Sequence, residues 1–190
     1  MIFNAQTVIG WIWAFLGVFW LIGRAFTKPT VRAQPLASRF FNVALAFLGF
    51  TMLGTPWFDV GWMALRFAPP AETVRIAGIV LTLAGAIFAI WARVTLGSNW
   101  SGRPSVKAGH ELIVTGPFAL TRHPIYTGLL LAVAGTALVV DQWHAVFGFS
   151  LVLIAFLTKI RLEEQFMMQA FPDSYPAYRR RVKALVPGVF

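Results

Sequence analysis

The sequence predicts an all-α integral membrane protein of about five transmembrane helices. Three observations carry that prediction. Of the 190 residues, 58% are hydrophobic and only 12% charged, about half the charged share of an average soluble domain. Five apolar runs are each long enough, or nearly so, to cross a hydrocarbon core of about 30 Å, which takes roughly 20 helical residues. The cations are also segregated: they cluster in alternate loops, as a membrane topology requires.

The runs extend from Thr7 to Gly23, Phe40 to Met63, Val74 to Leu96, Pro124 to Val140 and Trp143 to Ile160. The first has no basic segment ahead of it and no small-residue cleavage site behind it, so it reads as a retained helix rather than a signal peptide. The last two are separated only by Asp141 and Gln142 and predict a tight antiparallel hairpin. Gly78, Thr82 and Ala86 repeat every four residues on the third helix, as do Gly128, Ala132 and Thr136 on the fourth. They are either close-packing faces or the ordinary small-residue content of membrane helices. Trp57, Trp62, Trp100 and Trp143 fall near run ends, as an interfacial belt places them. The chain reads as a single membrane domain, residues 1–190, without internal repeats.

Orientation follows from charge. Arg24, Lys28, Arg32, Arg39, Arg93, Arg103, Lys107, Arg122, Lys159, Arg161, Arg179, Arg180, Arg181 and Lys183 fall on one side, and only Arg66 and Arg75 on the other. Short cytoplasmic loops retain Lys and Arg, so the N-terminus is expected outside and the C-terminus in the cytoplasm. For a bacterial chain the membrane is then the cytoplasmic one. The net charge of +9 is thereby read as topogenic and directed at anionic headgroups rather than nucleic acid. The chain has no cysteine, hence no disulfide framework and no thiolate metal site; no metal is expected.

Chemistry is expected on the positive side. The loop from Gly97 to His123 is the longest polar stretch, and Pro124 suits the first turn of the helix that follows. Arg122 and His123 then stand at the membrane surface, as a topogenic cation beside a capping residue or as part of a ligand mouth with Tyr126 and Gly128. Lys159, Arg161, Glu163 and Glu164 end the fifth run. Ionisable groups at such depth are costly and mark function by default, although Lys159–Glu163 and Arg161–Glu164 also have the spacing of intrahelical ion pairs. The two adjacent carboxylates point about 100° apart on a helix, which disfavours paired acid–base work. Beyond them, residues 171–178 read Phe-Pro-Asp-Ser-Tyr-Pro-Ala-Tyr and lead into a short basic helix.

The segment His110-Glu111-Leu112-Ile113-Val114-Thr115-Gly116-Pro117-Phe118, the element Arg122-His123-Pro124-Ile125-Tyr126-Thr127-Gly128, the later Glu163-Glu164 and the pair Tyr175 and Tyr178 together resemble the isoprenylcysteine carboxyl methyltransferase family and the related phospholipid methyltransferases. The resemblance covers residues 96–187; residues 1–70, the first two spans, carry no recognised motif. Pro172 stands where the family commonly has a small residue after the phenylalanine, which alters the terminal lid.

The resemblance implies an S-adenosylmethionine site built from the cytosolic loop, the start of the fourth helix and the segment after the fifth. No glycine-rich nucleotide fingerprint follows a predicted strand. It makes His110, Leu112, Gly116, His123, Tyr126, Glu163, Tyr175 and Tyr178 cofactor-contact candidates, and Arg161 and Glu164 the candidates nearest the acceptor. The implied activity is methyl transfer to a lipophilic acceptor arriving sideways from the bilayer between the third and fourth helices, first of all carboxyl O-methylation of an isoprenylcysteine-like compound. Phospholipid N-methylation, an NADPH-dependent sterol-reductase-like activity and a non-enzymatic sensor or transporter subunit are the rival readings.

The expected orientation has a direct test in a chain that starts without cysteine. A membrane-impermeant thiol reagent applied outside labels Asp59→Cys and misses Ser105→Cys; the reverse pattern inverts the topology.

Overall fold

The computed structural model describes residues 4–27, 30–33, 36–100, 105–107 and 111–189, with side chains described for all of these except 30–33, 36–39 and 105–107. It is a bundle of five apolar helices with a short sixth at the C-terminal end: α1 Ala5–Arg24, α2 Leu36–Gly54, α3 Glu72–Leu96, α4 Pro124–Val140, α5 Trp143–Ala170 and α6 Tyr175–Arg181. By length and composition α1, α3 and α5 are apolar enough to cross a membrane, and α2 and α4 are shorter apolar helices.

Two boundaries differ from the sequence expectation. The second helix stops at Gly54 rather than Met63, and residues 55–64 form single turns at Pro56–Phe58 and Gly61–Ala64. Thr55 precedes a proline and takes an extended conformation, φ −130° and ψ 145°, because the proline ring crowds an α-conformer at the preceding residue. The fifth helix runs on past Ile160 to Ala170. At 1.5 Å per residue it is about 42 Å long, some 12 Å more than a hydrocarbon core. The helix therefore continues for six residues beyond Glu164 instead of ending at the two glutamates.

The fold also holds a feature absent from the sequence reading. Residues Thr30–Ala33, β1, pair antiparallel with Ser105–Lys107, β2, in the register Thr30 to Lys107, Arg32 to Val106 and Ala33 to Ser105. This ladder joins the α1–α2 connection to the long polar loop.

Helices α3 and α4 make the closest seam in the bundle. A methyl group placed on Gly78 would lie 2.7 Å from the carbonyl oxygen of Gly135, and one on Gly128 would lie 2.6 Å from that of Gly85. The backbones touch, and Thr82 spans the seam by donating to Gly78 O at 2.9 Å and Ala132 O at 3.3 Å. Such approach is what small residues supply in lipid, where apolar burial gives little drive for association. The seam uses Gly78, Thr82 and Gly85 against Gly128, Ala132 and Gly135. Thr136, expected on the same stripe, instead accepts from Trp13 Nε1 at 2.9 Å and so ties α4 to α1. With its backbones in contact, this seam is not the sideways passage that the sequence suggested. A second glycine contact, Gly49 against Gly148 O at 2.7 Å from the added methyl, joins α2 to α5.

The predicted α4–α5 hairpin is present. Asp141 turns the chain with φ 53°, a left-handed conformation that Asp tolerates better than most residues. Its carboxylate accepts from Ala68 N at 2.9 Å and pairs with Arg66. Beside it, buried His144 reaches Met52 O at 2.5 Å and Asp59 Oδ1 at 2.9 Å, so the connection between α2 and α3 is fastened over this end of the bundle.

The α3–α4 seam predicts a sharp contrast between glycines. Gly128→Leu forces the backbones apart and costs about 1–3 kcal/mol or more, whereas Gly10→Leu, with nothing within 4 Å of its added methyl, is near neutral. Thermal unfolding in detergent measures both; equal midpoints would mean that the seam does not set the packing.

Candidate functional site

The site is assembled where the chain enters α4. Gly116, at φ 58°, starts a single turn from Gly116 to Ala119 that buries Pro117 and Phe118. Thr121 is buried behind it, and Pro124 then opens α4 with His123 at the cap position. The incoming strand is held by the tail after α6: Arg122 N donates to Lys183 O at 2.8 Å, and His123 N to Ala184 O at 3.0 Å. Thr127 Oγ1 adds a bond to Leu185 O at 2.8 Å.

Arg122 joins three segments. Its Nε donates to Glu164 Oε1 at 2.8 Å, and its Nη1 to Arg179 O at 3.2 Å and to Val182 O. Arg179 Nε reaches the other oxygen of Glu164 at 3.2 Å. The Arg122 and Glu164 side chains are only 9% and 12% exposed, so removing one partner would strand a largely buried charge, a loss of about 3–5 kcal/mol in such pairs. Glu164 turns from Arg161 to Arg122 and Arg179, whereas Glu163 keeps the attraction of Lys159 that its spacing offered and also accepts from Tyr126 Oη at 2.5 Å.

His123 lies between the two glutamates, Nδ1 3.5 Å from Glu163 Oε2 and Nε2 3.4 Å from Glu164 Oε1. Both distances are long for hydrogen bonds, and Nε2 is buried without a partner in hydrogen-bond geometry. The attraction is therefore chiefly electrostatic. Burial works against the charged imidazole, but the two carboxylates outweigh it and raise the pKa of His123 above its ordinary value. The ring stacks on Tyr126 with centroids 5.8 Å apart, and Tyr126 packs on Phe156 at 4.9 Å. Lys159 Nζ stands 5.2 Å from the centre of the Tyr126 ring, within cation–π range.

These groups line a cavity of about 380 Å³ that also includes Leu112, Glu111, Tyr175 and Tyr178. Tyr178 Oη donates to Phe118 O at 2.6 Å. Burial pushes its phenol up to about 12 and raises that of Tyr175 as well, the latter helped by the charge of Glu164. Both hydroxyls stay protonated at neutral pH and serve as donors, not bases.

Of the candidates read from the sequence, Leu112, His123, Tyr126, Glu163, Tyr175 and Tyr178 meet on this one cavity. Gly116 is set back at the preceding turn, and its added methyl would approach Thr95 at 3.5 Å. Glu164 lies one layer behind His123. Arg161 is on the exposed side of α5, since two residues of helix turn it about 200° from Lys159. His110 lies outside the described residues. Sequence reasoning gave no site role to Trp100 or Trp20, left Arg122 between a topogenic charge and a ligand mouth, and named Lys159 only as a functional candidate by depth; all four line the cavity. Burial is what marks Arg122, and burial is not written in a dipeptide.

The family comparison covers most of the segments that build this site. Residues 78–169 match the model of the isoprenylcysteine carboxyl methyltransferase (ICMT) family, which bears out the resemblance carried by the motifs. The chain is 32% identical over 119 residues to a probable protein-S-isoprenylcysteine O-methyltransferase of Oryza sativa subsp. indica, covering 61% of this chain and 62% of that protein. It is 35% identical over 79 residues to the protein-S-isoprenylcysteine O-methyltransferase of Schizosaccharomyces pombe, covering 41% and 34%. It is 26% identical over 133 residues to that of Dictyostelium discoideum, covering 67% and 56%. The matched part thus spans less than two thirds of each of these relatives.

The His123 geometry has a pH signature. Because the folded pKa lies above the unfolded one, the stability contributed by the charged ring is complete below about 6.5 and is lost as pH rises through the folded value. Glu163→Gln removes one of the two carboxylates and lowers the His123 pKa, which NMR of ring-labelled histidine reads directly. An unchanged titration would remove Glu163 as its partner.

Proposed function

We propose that this protein, whose residues 78–169 carry the isoprenylcysteine carboxyl methyltransferase family pattern, is an integral membrane methyltransferase that uses S-adenosylmethionine and methylates the carboxylate of an isoprenylcysteine-like acceptor. The observation that carries this reading is the convergence of His123, Tyr126 and Glu163 on one cavity at the end of the apolar layer. The family pattern implies a methyl donor, and the residues present suit this one. Glu163, on the cavity wall, offers negative charge to a cationic donor, and His123 Nε2 is a buried polar atom without a hydrogen-bond partner.

When bound, the donor supplies an electrophilic methyl group on a sulfonium. Glu163, oriented by the Tyr126 hydroxyl, places its charge at the cavity wall. Leu112, Tyr175 and Tyr178 close the cavity on the tail side and exclude water, which strengthens the electrostatic contacts inside. An acceptor carboxylate is ionised at neutral pH, with a reference pKa of about 3.3–3.7 for an α-carboxyl. The chain then needs no general base, in keeping with tyrosines that remain protonated, and its contribution is orientation. Glu164 acts in this reading through His123 and Arg122, while Arg161, exposed on the side of α5 away from Lys159, would act on a part of the acceptor outside the cavity. The cation distribution supports an outside N-terminus and a site on the cytoplasmic side, with the acceptor drawn from the bilayer.

The test combines binding and turnover. Calorimetric titration with S-adenosylmethionine, its demethylated product and NADPH shows binding of the first two, and His123→Ala and Tyr126→Ala weaken it about 10-fold or more. Labelled methyl appears on prenylcysteines rather than phospholipids. Arg161→Gln lowers turnover on the prenylcysteine while donor affinity holds; near-wild-type turnover removes Arg161 from the mechanism. Binding of NADPH alone would sink the methyltransferase reading.

A further inference from the structure

We infer that Trp20 of α1, held in place by Arg93, forms the wall of the cavity that selects the apolar chain of the acceptor. The inference rests on the proposed function for the identity of the acceptor, and adds to it a specificity determinant on the N-terminal side of the family-matched segment.

Helix α1 is loosely embedded. Its buried residues are Ala5, Ile9 and Leu16, and most other positions are partly or fully exposed on an apolar helix. Its inner end is fastened by one buried cation. Arg93, 5% exposed near the end of α3, donates through Nη2 to Gly23 O at 2.6 Å and through Nη1 to Gly97 O at 2.8 Å. One guanidinium thus binds carbonyls at the C-terminal ends of two helices, where the helix dipoles favour positive charge. Its flat face lies over the Trp100 ring, 4.5 Å from the centroid. The fit is close at Gly23, where an added methyl would come within 3.1 Å of Arg93 Nη2.

Trp20 lies three residues before Gly23, about 4.5 Å along the axis and close to the same face. Fixing Gly23 therefore fixes the depth of the indole. Trp20 lines the cavity with Leu129 and Phe156, while the charged groups His123, Lys159 and Glu163 come from the start of α4 and the end of α5. Arg93 touches both ends of this arrangement: it bonds α1 near Trp20 and stacks on Trp100, itself a lining residue. An apolar chain leaving the bilayer meets lipid-depth side chains first, and the indole is the bulkiest of them. Its size limits the length of chain that the cavity admits.

The measurement is a chain-length series of S-prenylcysteines with 10, 15 and 20 carbons, scored by binding in the absence of donor and by kcat/KM in its presence. Trp20→Ala shifts the preference toward the longer chain by about 10-fold or more in the ratio, the scale of discrimination by apolar pockets. Trp20→Phe is intermediate and guards against misfolding of the alanine variant. Arg93→Met, which keeps the indole but frees the end of α1, shifts the ratio in the same direction. Unchanged length ratios in Trp20→Ala, or a loss confined to donor affinity, overturn the inference. A wild type that binds the series yet transfers no methyl overturns the proposed reaction, and the binding ratios still decide the role of Trp20.

Discussion

The buried pair of Arg122 and Glu164 is the interaction on which the site depends. It brings together residues that are 42 positions apart and ties both to the carbonyls of Arg179 and Val182. Three segments that would otherwise move separately, the start of α4, the end of α5 and the tail, become one unit. Desolvating two charges is costly, and a pair this well buried is favourable only when its other hydrogen-bonding capacity is met. Here it is met by main-chain carbonyls on the arginine and by Arg179 at the carboxylate.

That arrangement explains why two adjacent glutamates do different work. On a helix their side chains diverge by about 100°, so Glu164 points to the clamp and Glu163 to the cavity. His123 stands between them and feels both charges. The cavity wall consequently combines a cation-prone imidazole, a carboxylate and protonated phenols. It is a surface suited to holding charged ligands in a fixed geometry.

The membrane bundle supplies the rigid frame. Glycine contacts bring α3 to α4 and α2 to α5 at backbone distance, and the hairpin turn at Asp141 is fastened to Arg66 and Ala68. These seams leave α1 as the least embedded helix, joined by Trp13, Arg93 and a few apolar contacts. The family match begins at residue 78, so the cavity combines a matched core with a wall from outside it.

The sequence by itself determined the helical membrane class, the runs, the hairpin at Asp141 and the motif residues that meet on the cavity. Those are properties of local composition: apolar length, proline at a helix start and charge asymmetry act over a few neighbouring residues. Glu163 and Tyr126 were legible as candidates because their motif carries them, although their mutual hydrogen bond was not. Tertiary structure alone decided that Glu164 turns to Arg122 rather than Arg161, that Arg93 closes two helix ends, that α3 and α4 are sealed against each other, and that Trp20 reaches the cavity. Each of these depends on which side chains lose water together. Burial is set by the packing of distant segments, and no local pattern encodes it.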